Sequence, residues 1–221
     1  MTLLCRIASL LITGATGYLG RPLTALALAR RHEVRVFIRR GSESRVAPGA
    51  SIVVGNLLSA DEIAAVLSPR DTLVHLVGTP RPSPAKAQQF LDVDLASIRA
   101  AAAAAARVAI RHIVYVSVAH PAPVMKAYID ARREGEALVR ASGIPATILR
   151  PWYVLGPGHR WAYALVPLYR VFELIPSKRE TALRLGLVTE RQMIAALMRA
   201  VEDGPEAAGV WDVPRIRAAR I

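Results

Sequence analysis

A chain of 221 residues, 53% of them hydrophobic, is long enough for one α/β domain with a full core and too apolar to be disordered. Its formal net charge of +12 raises nucleic acid or an anionic membrane as partners. The arginines are scattered, however. They pair at Arg30–Arg31, Arg39–Arg40 and Arg132–Arg133, with no longer basic run and no aromatic interleaving, so specific nucleic-acid binding is not expected.

Only Lys86, Lys126 and Lys178 of the 29 basic residues are lysine, a skew that fits a coding bias as readily as a function. The single cysteine, Cys5, excludes a disulfide within the chain and a cysteine-based metal site. The five histidines are unclustered, so no metal is expected. Met1–Ile12 is apolar apart from Arg6 but runs straight into a glycine loop, with no small-residue cleavage site. Cleavage there would destroy the first strand, so a cytoplasmic chain without a leader is expected. No uncharged apolar run reaches about 18 residues, so no spanning helix is expected either.

In chain order, Ser9–Thr13 reads as the first strand. Gly14, Gly17 and Gly20 follow, and then a helical pattern over Tyr18–Arg30 with Pro22 near its start. This arrangement turns a parallel strand into a helix whose N-terminus holds a phosphate. Gly14 allows the tight turn, Gly17 the approach of a pyrophosphate, and Gly20 the packing of helix on strand. The spacing is G-x-x-G-x-x-G rather than G-x-G-x-x-G.

Glu33–Ile38 alternates as strand two, Gly41–Ala50 is a loop, and Ser51–Val54 is strand three. Ser59, Asp61 and Glu62 cap a short helix to Leu67. Thr72–Val77 is a strand apolar enough for burial on both faces, followed by a proline-rich loop at Gly78–Pro84. Ala87–Ile110 predicts one long helix whose alanines permit close packing on a sheet. His112–Ser117 is strand five, Lys126–Ala141 a helix ending at Gly143, and Ala146–Leu149 strand six. The rhythm predicts a Rossmann-type doubly wound parallel sheet with helices on both faces.

Beyond Arg150 the character changes. Residues 1–151 form the core of a single domain, and 152–221 form a small segment on the substrate side. Trp152–Gly158 reads as a loop, Trp161–Ile175 as two short helices or an apolar lid, Thr189–Glu202 as an amphipathic helix and Gly209–Val213 as a last short strand. The basic charge leaves peripheral membrane contact by Trp161–Ile175 open, although Pro167 and Pro176 favour short packed pieces.

Several segments together resemble the atypical or extended short-chain dehydrogenase/reductase family, nearest to its NAD(P)H-binding, NmrA-like and complex-I accessory-subunit-like members. They are Thr13-Gly-Ala-Thr-Gly-Tyr-Leu-Gly20, Gly55-Asn56-Leu57, Leu73-Val-His-Leu-Val-Gly78, Val114-Tyr-Val-Ser117 and Leu149-Arg-Pro-Trp-Tyr-Val-Leu-Gly-Pro-Gly158. The resemblance implies a nicotinamide dinucleotide on a track through Gly14, Thr16, Gly17, Tyr18, Leu19 and Gly20, past Arg39 and Arg40, Asn56 and Leu57, Val77 and Gly78, to Pro151. Arg39 and Arg40 stand where an acidic residue would bond the ribose of NAD. Guanidinium there suits a 2′-phosphate, so NADP is expected ahead of NAD.

The same resemblance implies a Ser, Tyr and Lys set, with the tyrosine and lysine four residues apart on one helical face. Ser117 and Tyr128 match, but the lysine position holds Arg132. Arginine keeps the positive field and cannot relay a proton. The resulting reading is an NADP-dependent oxidoreductase or epimerase-like enzyme for a small carbonyl or alcohol. The alternative is a dinucleotide-binding redox sensor or assembly subunit without turnover. Trp152, Tyr153, His159, Arg160, Trp161, Tyr163 and His120 are candidates for the substrate wall. Oligomeric state stays open.

Overall fold

The computed structural model describes residues 7–156 and 176–220. Seven strands form one parallel sheet: β1 (Ser9–Thr13), β2 (Glu33–Ile38), β3 (Ser51–Val54), β4 (Asp71–His75), β5 (His112–Val116), β6 (Ala146–Leu149) and β9 (Gly209–Trp211). Their order is β3-β2-β1-β4-β5-β6-β9. The chain reverses direction across the sheet between β1 and β4, and this switch point opens a crevice at the strands' carboxyl ends. Two further strands, β7 (Tyr153–Leu155) and β8 (Leu187–Thr189), pair parallel in a small second sheet.

Side-chain alternation along β1 builds two cores. Leu10 and Ile12 pack with Leu23 of α1 (Gly20–Ala29), Leu197 of α7 (Glu190–Asp203) and Ile216 of α8 (Val213–Ala218). Leu11 faces the other way, toward Ile63 of α2 (Ala60–Ala64), Ile98 of α4 (Ala96–Val108) and Val139 of α5 (Lys126–Ala141). Each fully buried Leu or Ile contributes about 1.5–3 kcal/mol, so both faces need their helices. β4 is buried at all five positions, although Asp71, Thr72 and His75 are polar.

Strands β1, β2, β3 and β6 and helix α5 have the expected bounds, and Gly143 after α5 takes the left-handed φ of +72°. β4 and β5 end at His75 and Val116, short of the expected Val77 and Ser117, and larger differences lie elsewhere. The expected single helix over Ala87–Ile110 is α3 (Ala87–Gln89), a π-helical stretch Phe90–Leu95, and α4, which stops at Val108. The Trp152–Gly158 loop contains β7, because Tyr153–Leu155 finds β8 as a partner. Helices α6 (Pro176–Arg184) and α8 carry no strong sequence signal. Cys5, His159, Arg160, Trp161, Tyr163 and the Trp161–Ile175 segment lie outside the described residues.

Candidate functional site

Gly14 ends β1 with φ +76°, and a Cβ there would lie 2.7 Å from the Leu76 carbonyl carbon. At Gly20 a Cβ would overlap the Gly14 carbonyl oxygen. These two glycines are required by the packing of loop, helix and strand. Gly17 is different. It is exposed, and a Cβ there would meet only the Gly14 oxygen at 3.2 Å. Its missing side chain leaves room on the solvent side of the loop. Helix α1 begins behind it with Leu19 as N-cap, no side-chain cap bond and no acidic residue in the first turn. The Gly17, Arg21 and Leu23 N–H groups donate to the Gly14, Gly17 and Leu19 carbonyls, so what this end offers an anion is the dipole's positive end and the remaining N–H groups of the loop. Tyr18 lies across the crevice from β7, its hydroxyl against Gly156.

Strand register sets the rest of the carboxyl edge beside this loop. Thr13 pairs with Phe37 and His75, and Ile38 with Val54, so Leu76 stands level with Ile38 and Val54, and Arg39 and Gly55 follow one residue further on. Arg39 and Arg40 are exposed and have no ion-pair or hydrogen-bond partner for their side chains among the described residues. Asn56 is exposed too. Its N–H donates to Glu62 Oε2 at 2.9 Å, and its Oδ1 accepts from the Leu58 N–H at 3.0 Å. Leu57, half-buried, packs against the core beneath.

Further along, the edge changes from open backbone to interlocked side chains. Ser117 N–H donates to the Leu149 carbonyl and Ala119 N–H to the Pro151 carbonyl, so β5 and β6 run together to their ends. Arg132 of α5 is 6% exposed. Its Nη2 donates to Asp94 Oδ1 at 2.7 Å and its Nη1 to the Val116 carbonyl at 3.0 Å. The guanidinium fills the space beside Gly78, where a Cβ would overlap it. Asp94 Oδ2 in turn accepts from the Thr79 N–H and hydroxyl. Tyr128 and Arg132 do share a helical face, with the guanidinium carbon 5.3 Å from the Tyr128 ring centre. Tyr128 also packs on Phe90, ring centres 5.0 Å apart.

Ser117 is buried and its hydroxyl donates to Glu136 Oε1 at 2.7 Å. Glu136 also accepts from Arg150 through both Nε, at 2.8 Å, and Nη2, and from Arg140 Nη2 at 2.9 Å. Burial alone would raise this carboxyl. Hydrogen bonds from Arg150 and Ser117 outweigh burial and hold its pKa down to about 2. Beneath the edge, His75 bridges Thr13 Oγ1 (2.9 Å) and Ser97 Oγ (3.3 Å). Burial first, and then the Arg132 charge, lower its pKa to about 3.

A family of NAD(P)H-binding proteins matches residues 14–166, which covers the glycine loop, the switch point and α5. The chain belongs to this NAD(P)H-binding family. A ceramide reductase of Caulobacter vibrioides is 29% identical over 192 residues, covering 85% of this chain and 59% of that protein. The chain thus spans well under two thirds of that relative's length. An uncharacterized sugar epimerase, YhfK, of Bacillus subtilis is 31% identical over 150 residues, 63% of this chain and 69% of the relative. The fold is that of the Bordetella bronchiseptica enzyme WbmH in complex with NAD+, at TM-score 0.70 and 17% identity, over 94% of this chain and 76% of that one.

An NAD(P)H-binding chain needs an open anion cradle and a groove leading from it. The exposed Gly17, the uncapped start of α1 and the aligned strand ends fit that requirement. Four side chains of the site have no place in the sequence reading: Asp94, Thr79, Glu136 and Arg150. One signal for two of their bonds was present. Ile129, Arg132, Glu136 and Val139 follow helical spacing on the inward stripe of α5, so a cation and an anion sit where core residues belong. Buried charges require partners, and Asp94 and Arg150 supply them.

Proposed function

We propose that the chain binds NADP in preference to NAD and acts as an oxidoreductase or epimerase-like enzyme on a small carbonyl or alcohol. The observation that carries this reading is the continuous carboxyl edge, from the open Gly17 loop past Arg39 and Arg40 to Ser117 and Tyr128. In it, Gly14, Thr16, Gly17, Tyr18, Leu19 and Gly20 cradle the pyrophosphate on backbone N–H groups. Arg39 and Arg40, unpaired at the end of β2, hold the 2′-phosphate through charge-assisted bonds. Asn56 and Leu57 border the adenine, Val77 and Gly78 the adenosine ribose, and Pro151 the nicotinamide. When bound, the dinucleotide supplies or accepts the hydride.

Tyr128 is the group that exchanges a proton with substrate oxygen, because its hydroxyl makes no hydrogen bond among the described residues. Arg132 keeps a fixed positive charge beside it. The donors that would reach a ribose are committed instead to Asp94 and the Val116 carbonyl, so its main task is to shape the passage at Val77 and Gly78. Ser117 orients the substrate oxygen once its hydroxyl turns from Glu136. Tyr128→Phe should abolish NADP-dependent turnover across a carbonyl panel while NADPH affinity, followed by fluorescence, stays within about twofold. Unchanged turnover would remove Tyr128 from the chemistry. Arg39→Asp should reverse the preference for NADPH over NADH by about tenfold or more, the scale of one charge-assisted contact. Equal wild-type affinity for both would count against the NADP assignment.

A second reading is binding without turnover, as in a redox sensor or assembly subunit. The observation favouring it is that Ser117 and Arg132 both direct their donors inward. It predicts tight cofactor binding with no turnover in the same panel.

A further inference from the structure

Just past the carboxyl ends of β5, β6 and β9, a cavity of about 520 Å³ opens against helix α6. His120, Arg150, Glu180, Arg184 and Asp212 line it together with apolar residues. The charges on this wall balance, but the hydrogen bonds do not. Arg184 Nε is buried without a hydrogen-bond partner. Arg184 Nη2 has only a 3.5 Å contact to Thr181 Oγ1, and its Nη1 lies 3.6 Å from the highly exposed Glu180. Arg150 gives Nε and Nη2 to Glu136, which leaves Nη1 without a partner among the described residues. His120 Nε2 is buried with no hydrogen bond, 3.4 Å from Glu136 Oε1.

The acids on the same wall do not meet this demand. Asp212 Oδ1 accepts the Arg215 N–H as the cap of α8, and Glu136 already accepts from Ser117, Arg150 and Arg140. The guanidinium groups of Arg150 and Arg184 therefore border one open cavity, beside an imidazole, and Arg150 Nη1 is the donor left for a ligand. A planar oxyanion is the ligand that a guanidinium fork satisfies best.

We infer that this cavity takes the anionic end of the substrate, a carboxylate or phosphate, bridged by Arg150 and Arg184 next to His120. The inference rests on the substrate-side reading given above and assigns the substrate class: a small carbonyl or alcohol that carries an oxyanion away from its reacting carbon. Ser117 and Arg150 bond the same Glu136, so binding at the cavity is tied directly to the position of the Ser117 hydroxyl.

The test uses the full chain saturated with NADP+, so that the glycine loop is not open to the probe. Malonate and inorganic phosphate are titrated separately at ionic strength held constant with chloride. The readout is the ¹⁵N shift of the His120 imidazole, identified by its loss in His120→Gln. A saturable shift with malonate, phosphate or both is expected, and the stronger of the two arms distinguishes a carboxylate from a phosphate ligand. Arg184→Gln, on the outer helix, should weaken it by about tenfold or more, and Arg184→Lys by less. No saturable shift with either anion would overturn the inference, as would an unchanged response in Arg184→Gln with its fold intact by thermal unfolding. NADP+ affinity is measured separately by calorimetry. Its absence would refute the cofactor reading, while the His120 response would still decide the anion site.

Discussion

At the β1–β2 end of the carboxyl edge, Gly17, Arg39, Arg40 and Asn56 are exposed, and the groups proposed to bind an anion are backbone N–H donors or exposed arginines. At the β5–β6 end, Ser117, Arg132 and Glu136 are buried and bonded to one another's neighbours, through Asp94 on one side and Arg150 on the other. One end is open backbone and exposed arginine, whereas the buried charges of the other are held chiefly by internal partners. A change at the open end should therefore appear in binding and leave folding nearly untouched. A change at the closed end should appear in folding first.

The largest effect is expected at the closed end. Asp94→Ala leaves the Arg132 guanidinium buried without its carboxylate, and should cost about 3–5 kcal/mol of unfolding free energy in urea. Adding Arg132→Met should recover much of that loss, because the lone buried charge is gone. A single-variant loss below about 1 kcal/mol would mean that the pair is better solvated than its burial implies.

Acid provides the next test. His75 has its pKa lowered to about 3 by burial and the Arg132 charge, and His112 to about 4 by burial and the Arg111 charge. Both fall from an unfolded value near 6.5. The unfolded chain therefore takes up protons first as pH drops. The stability these neutral imidazoles contribute is full above about 6.5 and drains below it, at roughly 1.4 kcal/mol per pH unit for each. Glu136 acts lower. Its contribution is present above the unfolded value of 4.5 and is lost as pH falls toward about 2. Urea unfolding between pH 7 and 5 should show mainly the histidine slope, to which His32 and His120 add because burial lowers them too, and His112→Gln should remove one ring's share. A flat profile would contradict the burial of both rings.

The same contrast explains what could be read from the sequence. The open end is local: Gly14, Gly17 and Gly20 lie within one turn between a strand and a helix, and the arginines directly follow β2. Periodicity and glycine spacing report such features. The closed end is made of contacts between distant segments. Asp94 meets Arg132 across the gap between the π-helical stretch and α5, and Arg150 meets Glu136 from the end of β6. In the sequence these charges resemble solvated surface charges. Only the inward register of Arg132 and Glu136 on α5 gives them away. β7 escaped for a related reason, since three residues acquire strand character only from β8, far along the chain.

The most direct test of the open end is a fluorescence titration of NADPH into wild-type chain and Gly17→Ala, with urea unfolding of both in parallel. With the pyrophosphate over this loop, as proposed, a methyl at Gly17 would take up room beside it, while meeting the protein only at the Gly14 oxygen, 3.2 Å away. Saturable binding by the wild type, weakened about tenfold or more in the variant with unfolding free energies within about 1 kcal/mol, is the predicted result. Equal affinity in the two proteins would contradict a dinucleotide cradle at this loop.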